Sequence, residues 1–392
     1  MESKMTGRFW TPTEVVFGEG MAGTLAQHVG RLGARRLWLV TDPGVRAAGI
    51  VERVAGPLAG LNGIEVTVWD AVHPNPRDTE CEAGAAVARE AGADLVVAVG
   101  GGSPLDAAKA IAALATNGGA VADWITPRAL DRPALPMIAI PTTAGTGSEV
   151  TRSSVITDTA RRIKVTIKDP SMAPRVALVD PELTWSLPAH VTAATGMDIL
   201  THAVEAYTCR QANPISDGLA LHAIRLVARS LAVVVRDGSD HGARATMMVA
   251  STMAGMAFAN ADVAGVHCLA EALGGRYDTP HGVANAVFLP HFVDFHRVAS
   301  PRRHAEVAAA LGIDVRGQDD ADAAAAGATM IAGLALEVGI PVFASLPGID
   351  PADFPALAAA AEANGSNPSN SRPMVAADYQ TILARAWAGG AA

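Results

Sequence analysis

The sequence predicts a two-domain chain: a parallel α/β domain followed by an all-α domain. Three observations lead there. Up to about residue 185, short apolar runs alternate with alanine-rich helical patterns. That alternation is the signature of parallel strands covered by helices. Past residue 188 the strand signals fade and helical patterns continue almost to the end. The length, 392 residues, corresponds to two or three domains at a soft ~150 residues each. The boundary is drawn at 187/188, giving domains 1–187 and 188–392.

The strands come first. Leu37–Thr41 is a buried-strand run that ends in Asp42-Pro-Gly. Ile64–Trp69 alternates before meeting Pro74 and Pro76, and Leu95–Val99 is a continuous apolar run into three glycines. Met137–Ile140 stops at Pro141. Runs without alternation suit strands buried on both faces. Helical patterns cover Thr79–Ala91 and Pro104–Ala115. In the second half they cover Val191–Cys209, Ser216–Arg236, Ala243–Ala259, residues 301–311 and 319–338, and Ala376–Trp387. Pro188, Pro214, Pro290, Pro341 and Pro355 are expected to punctuate them. Residues 365–373, rich in Asn and Ser, read as a loop, and no repeat of fixed period is present.

Composition excludes several classes. Thirty Lys and Arg against 39 Asp and Glu leave a net charge of −9, without a basic block to hold nucleic acid. Half the residues are apolar, which supports a large core and excludes global disorder. Cys81, Cys209 and Cys268 are too widely spaced for a disulfide framework or a CxxC knuckle. The start lacks an apolar leader stretch, and no uninterrupted run of about 18 apolar residues suggests a membrane span. The expectation is a soluble, cytoplasmic protein with no nucleic-acid or membrane partner.

Two glycine-rich turns follow strands of the first half. Gly100-Gly-Gly-Ser-Pro-Leu-Asp-Ala-Ala-Lys109 passes from a strand into a helix. Glycines let another group approach the backbone closely. Ser103 suits a cap and Pro104 a first helical position. Helix-start N–H groups attract an anion such as pyrophosphate. The spacing is neither G-x-G-x-x-G nor a P-loop, so an ordinary strand–turn–helix corner is the plain alternative. Pro141-Thr-Thr-Ala-Gly-Thr-Gly-Ser-Glu-Val-Thr151 offers hydroxyls and close backbone to a sugar or diphosphate; the alternative there is a solvated loop. Two polar turns at the carboxyl ends of parallel strands mark a nucleotide crevice. Asp42 can accept from a ribose diol, which favours NAD over NADP, although Asp-Pro-Gly is also common turn chemistry.

The helical half carries a metal-ligand pattern. Asp198 and His202 stand four apart and share a helix face. Their surroundings are apolar, and a buried Asp beside a buried His needs a partner. A hydrogen-bonded core pair is the simpler alternative. His267 on a helix and His281 in a turn after Pro280 complete one Asp and three His. This set suits a divalent transition metal such as Fe, Zn or Ni. An incomplete shell would leave a position for a substrate oxygen.

With these segments on the page, the chain resembles the iron-containing (group III) alcohol dehydrogenases, which are related to glycerol dehydrogenase and, more distantly, to dehydroquinate synthase. The resemblance covers nearly the whole chain. It rests on residues 100–110, 141–151, 196–205 and 255–260, His267, and Pro280-His-Gly282. It implies a Rossmann-like N-terminal α/β domain and an all-α C-terminal domain, with the site in the cleft between them. It implies reversible hydride transfer between NAD(P)H and an aldehyde or ketone, with Fe²⁺, or Zn²⁺ or another divalent metal, polarising the substrate oxygen. Asp198, His202, His267 and His281 carry over as metal ligands. Gly100, Gly101, Gly102, Ser103, Asp106, Thr142, Thr143, Thr146, Lys164 and Asp42 carry over as cofactor residues. The partner is a small alcohol or aldehyde, and the family's habit is a homodimer or higher homo-oligomer, through the N-terminal strand.

One departure is visible. Many members carry His-x-x-x-His in the second metal segment, where this chain has His267-Cys-Leu-Ala-Glu271. Glu271 is the candidate catalytic residue, as a proton relay or a hydrogen-bond partner for a polar substrate. A fifth metal ligand and a bystander paired with a residue such as Arg276 are the alternatives. Arg77 stands where a threonine is common. The rival functions on the same fold are a dehydroquinate synthase-like lyase, a maleylacetate reductase-like or hydroxyacid dehydrogenase activity, and a non-catalytic binding protein.

Overall fold

The computed structural model of the chain describes residues 7–389. They divide into two units: Thr11–Ser186, and Leu187 onward together with residues 7–10.

The first unit runs β1 (Glu14–Phe17), α1 (Leu25–Leu32), β2 (Arg36–Val40), α2 (Pro43–Ala47), α3 (Ile50–Ala55), β3 (Glu65–Trp69), α4 (Asp78–Glu90), β4 (Leu95–Gly100), α5 (Gly102–Asn117) and β5 (Met137–Pro141). It closes with β6 (Ser153–Asp158), β7 (Ile163–Lys168) and β8 (Val176–Val179). Six strands form one parallel sheet in the order β1-β8-β5-β4-β2-β3. Every residue of β4 is buried, because both sheet faces are covered. Leu95, Val97 and Val99 pack with residues of α1 and α3 on one face. Val96 and Ala98 pack with residues of α4 and α5 on the other.

That difference places the ligand crevice. The chain leaves β2 over one face toward β3 and leaves β4 over the opposite face toward β5. Adjacent strands β2 and β4 therefore flank a topological switch point, where ligands bind in open α/β sheets. Asp42 and the three glycines sit at the carboxyl ends of these two strands. Two features escape a purely parallel reading. β6 and β7 form an antiparallel hairpin outside the main sheet. β1 and β8, four residues each, are too short to stand out as runs.

The second unit is helical: α6 (Ala189–Thr208), α7 (Pro214–Arg236), α8 (His241–Asn260), α9 (Gly265–Tyr277), α10 (His281–Arg297), α11 (Pro301–Ala310), α12 (Asp320–Glu337), α13 (Phe354–Glu362) and α14 (Ala376–Trp387). Asn213 caps α7 by accepting from the Ile215 and Ser216 N–H groups, and Pro214 opens the helix. By length and composition α7 could cross a bilayer, but here it packs against α6, α8 and α11 as a core helix. Pro290 does not end a helix as expected; it lies inside α10. A proline there removes one helix hydrogen bond, and the burial of Phe288, Leu289, Phe292 and Val293 around it keeps the helix continuous. His281 is the first residue of that helix rather than part of a turn.

Two histidines of this unit are buried and neutral. His296 Nδ1 meets the Ser371 hydroxyl at 3.0 Å, and His304 Nδ1 meets the Ser300 carbonyl at 3.0 Å. Burial, reinforced by nearby positive groups, pushes them from 6.5 down to about 3 and about 4. The unfolded chain binds these protons from pH 6.5 downward while the folded chain does not, so folding stability falls as pH drops from 6.5 toward 4. The loss reaches ~2 kcal/mol for each histidine at pH 5. A His296→Asn/His304→Asn double variant should show a smaller fall in Tm between pH 7 and 5 than the parent chain. An equal fall in both would assign the acid sensitivity elsewhere.

Candidate active site

In the α/β unit the two glycine-rich turns are packed into each other. A Cβ on Gly102 would lie 2.5 Å from Thr146 Cγ2, so only glycine fits. A Cβ on Gly101 would lie 3.2 Å from Thr143, close enough that the threonine would have to give slightly. Gly100 has φ +155° and hydrogen-bonds the second turn, its carbonyl accepting from Thr142 N–H at 2.9 Å. Thr142 is buried, while Thr143 and Thr146 are partly exposed.

The helix start differs from expectation. Gly101, not Ser103, is the N-cap of α5, and no side chain caps the helix. Ser103 lies inside the first turn and its hydroxyl accepts from Asn75 N–H at 3.2 Å. A glycine at the cap leaves the first-turn N–H groups open to an anion.

Asn75 was not singled out by sequence. It is buried, adopts φ +55°, and its Oδ1 accepts from Lys164 Nζ at 2.8 Å. Lys164 also donates to Thr157 Oγ1 at 2.9 Å. Asn75 thus connects the glycine turn to the hairpin lysine. Its signal was the Pro74-Asn-Pro76 context, where the two prolines mark only the end of the preceding strand run.

Asp106 acts inside the protein. Its carboxylate accepts from Ser148 Oγ at 2.6 Å and from Val155 N–H at 2.9 Å. One turn on, Lys109 is fully buried and donates to Ser148, Thr151 and the Ser153 carbonyl at 2.7–2.9 Å. These two charges clamp the second turn and β6 onto α5. Asp42 caps α2 by accepting from Val45 N–H through Oδ1 at 2.8 Å. Arg77 precedes α4, and its guanidinium donates to the Pro74 carbonyl at 3.1 Å.

In the helical unit, α6, α9 and α10 bring Asp198, His202, His267 and His281 together. One ligand atom from each lies within 4.8 Å of all the others. Asp198 Oδ1 is 3.6 Å from His202 Nδ1 and 3.8 Å from His281 Nε2. One glycine permits this convergence, and another packs α6 against its other neighbours. A Cβ on Gly282 would stand 2.5 Å from the Ala194 carbonyl oxygen, so α10 starts flush against α6 with His281 facing Asp198. On α6, a Cβ on Gly196 would strike Leu231 at 2.2 Å.

The electrostatics suit a cation. Burial pushes His202 down to about 3 and His267 down to about 4, so both are neutral near pH 7, the form that binds metal. Burial would raise the Asp198 carboxyl, but the three imidazoles around it hold it below its ordinary value. His202 Nδ1 is buried with no hydrogen-bond partner. Asp198 and three imidazoles are the donor set for a divalent transition metal, and they fit one.

Glu205, also missed, orients this cluster. Its carboxylate accepts from Ala264 N–H at 2.9 Å and Val266 N–H at 2.7 Å, and lies 2.6 Å from His267 Nδ1. Burial pushes its carboxyl up to about 7, against the N–H groups that favour the charged form. With Nδ1–H given to Glu205, neutral His267 presents the lone pair of Nε2 to the cluster. Its signal was the seven-residue spacing from Asp198, which keeps Glu205 on the same side of α6. Phe258 of α8 covers His202, ring stacked on ring at 4.4 Å.

Glu271 lies one turn beyond His267 but outside the four-residue group. Its Oε2 accepts from Asn364 Nδ2 at 2.7 Å. Arg276 forms an ion pair with Asp353.

Comparison with known proteins agrees with this geometry. The iron-containing alcohol dehydrogenase profile matches residues 12–181, and the C-terminal profile of the Fe-containing alcohol dehydrogenase family matches residues 192–387. A 1,3-propanediol dehydrogenase of Klebsiella pneumoniae is 43% identical over 366 residues, covering 93% of this chain and 94% of the relative. An NAD-dependent methanol dehydrogenase of Bacillus methanolicus is 36% identical over 378 residues, covering 96% and 99%. The crystal structure of a 1,3-propanediol oxidoreductase superposes with a TM-score of 0.93 at 41% identity, over 97% of this chain and all of that one. With both halves matched in order, the chain belongs to the iron-containing alcohol dehydrogenase family, enzymes of NAD-linked alcohol oxidation and carbonyl reduction.

Proposed function

We propose that the chain is a metal-dependent dehydrogenase of small alcohols that works reversibly between NAD(H) and an aldehyde or ketone, with Fe²⁺ as its metal. The observation that carries this reading is the buried convergence of Asp198, His202, His267 and His281. A divalent ion held there supplies Lewis acidity toward an alcohol or carbonyl oxygen. NAD supplies the hydride chemistry. The relatives named for propanediol, methanol and long-chain alcohols support an alcohol substrate.

The protein's own residues do the rest. Asp198 contributes the negative charge that keeps a cation in an apolar surround. Glu205 holds His267 in one tautomer, and Phe258 covers the His202 ring. In the other unit, the α5 start, with Gly100, Gly101, Gly102 and Ser103, receives the diphosphate. Thr142, Thr143 and Thr146 shape the turn beside it. Lys164, positioned by Asn75 and Thr157, donates toward the nicotinamide ribose. Asp106 holds these turns in place and acts through them.

Removal of metal by a chelator should abolish alcohol-dependent NADH formation, and Fe²⁺ should restore it. Full turnover by protein free of metal would end this reading.

The Asp42 carboxylate uses Oδ1 as a cap, which leaves Oδ2 for a ribose diol and repels a 2′-phosphate. Asp42→Asn keeps a capping side chain but removes the charge. The preference for NAD over NADP, as a ratio of kcat/KM, should fall by roughly tenfold with little change in Tm. An unchanged ratio would remove Asp42 from cofactor choice.

A further inference from the structure

A small cavity adjoins Glu205 in the helical unit. It encloses about 20 Å³, and its polar lining includes Glu205 and Thr208 of α6, His296 of α10, and Asn370 and Ser371 of the segment before α14. A buried water needs roughly 10–15 Å³ and two to four polar partners. The space admits one water.

The partners are present, with open hydrogen-bonding positions. His296 Nε2 is buried with no hydrogen-bond partner among the described residues, while Nδ1 is engaged by the Ser371 hydroxyl. An orphaned ring nitrogen is costly in an apolar interior. A carboxylate accepts at about four positions. Glu205 uses three of them, toward Ala264 N–H, Val266 N–H and His267 Nδ1. Thr208 Oγ1 gives its proton to the Val204 carbonyl at 2.8 Å, which leaves its lone pairs. Asn370 is engaged elsewhere: it accepts from Gly265 N–H at 2.9 Å and donates to the Asn367 carbonyl at 2.9 Å.

From this arrangement we infer that the cavity is a binding site for one ordered water, which joins His296 to the carboxylate that orients His267. The inventory of donors and acceptors fixes how the water is held. The Glu205 carboxylate and Thr208 Oγ1 can only accept here, so the water gives them its two protons. It then accepts from His296 Nε2–H. A neutral imidazole carries one N–H, so His296 Nδ1 accepts from the Ser371 hydroxyl. A continuous chain results, from Ser371 through His296, the water and Glu205 to His267, and it makes His296 a positioning residue. The water site stands without a metal; its effect on metal binding rests on the metal reading above.

Diffraction from crystals of the full chain tests the site, and nitrogen-15 NMR of labelled histidines in metal-free protein tests the orientation. Density for one water should lie within about 3.2 Å of both His296 Nε2 and a Glu205 oxygen, and His296 should be the Nε2–H tautomer. A cavity without that water, or a His296 Nδ1–H tautomer, overturns the inference. Positioning is read from Fe²⁺ affinity by chelator competition. His296→Phe, which offers no donor, should bind Fe²⁺ roughly three- to tenfold more weakly, less than the ~10–100-fold cost of losing a direct partner of a metal ligand. His296→Gln, which keeps an N–H donor, should lose less. Parent-like affinity in His296→Phe, or an equal loss in both variants, overturns the positioning role. The measurements on the parent chain decide the water site even if the variants fail to fold. A parent chain that takes up no Fe²⁺ would instead overturn the metal reading itself.

Discussion

The helical unit is arranged around the cost of burying Asp198. A lone carboxylate in an apolar interior is strongly unfavourable, and the usual outcome is neutralisation or a partner. Here two of the surrounding imidazoles, His202 and His267, are kept neutral by burial. Neutral imidazoles do not cancel the charge of the carboxylate. A divalent cation does. The glycine at 282, the Glu205 contact and the stacking of Phe258 on His202 all serve to bring four donors to one point. None of these features is needed for a helical core alone, which larger apolar side chains would fill at lower cost.

The α/β unit solves a different problem with the same economy. A dinucleotide's diphosphate needs close backbone, not side-chain charge. In the proposed function the glycine turn after β4 supplies it, and the threonine turn after β5 fills the space that missing side chains leave. Buried Lys109 and Asp106 secure the second turn from beneath, where their charges are satisfied by hydroxyls, a carbonyl and one another. The pair holds the turns together from within a segment that reads as a cofactor motif.

Much of this was legible in the sequence. Continuous apolar runs marked the buried central strands, and long helical patterns located α6, α7 and α8. Asp198 with His202 was readable because a four-residue spacing sets both on one face. What was lost depends on contacts distant in sequence. Glu205 is an ordinary helix-interior residue type, and only the packing of α6 and α9 shows what it touches. Asn75 looked like part of a proline turn until the hairpin lysine was placed against it. Ser103 looked like a cap because a serine before a proline usually is one; a glycine two residues earlier took that position. Pro290 shows the converse, a strong local signal overridden by burial on both sides of it. Glu271 was conspicuous as a departure from a pattern, but that its Oε2 would accept from Asn364 was not legible.

The central claim is that Asp198, His202, His267 and His281 form one metal centre. It is tested most directly by anomalous diffraction at the iron edge from crystals grown with Fe²⁺. The account predicts one strong peak per chain, within bonding distance of all four side chains. A fully loaded crystal with no peak there, or with iron held by other residues, would contradict it.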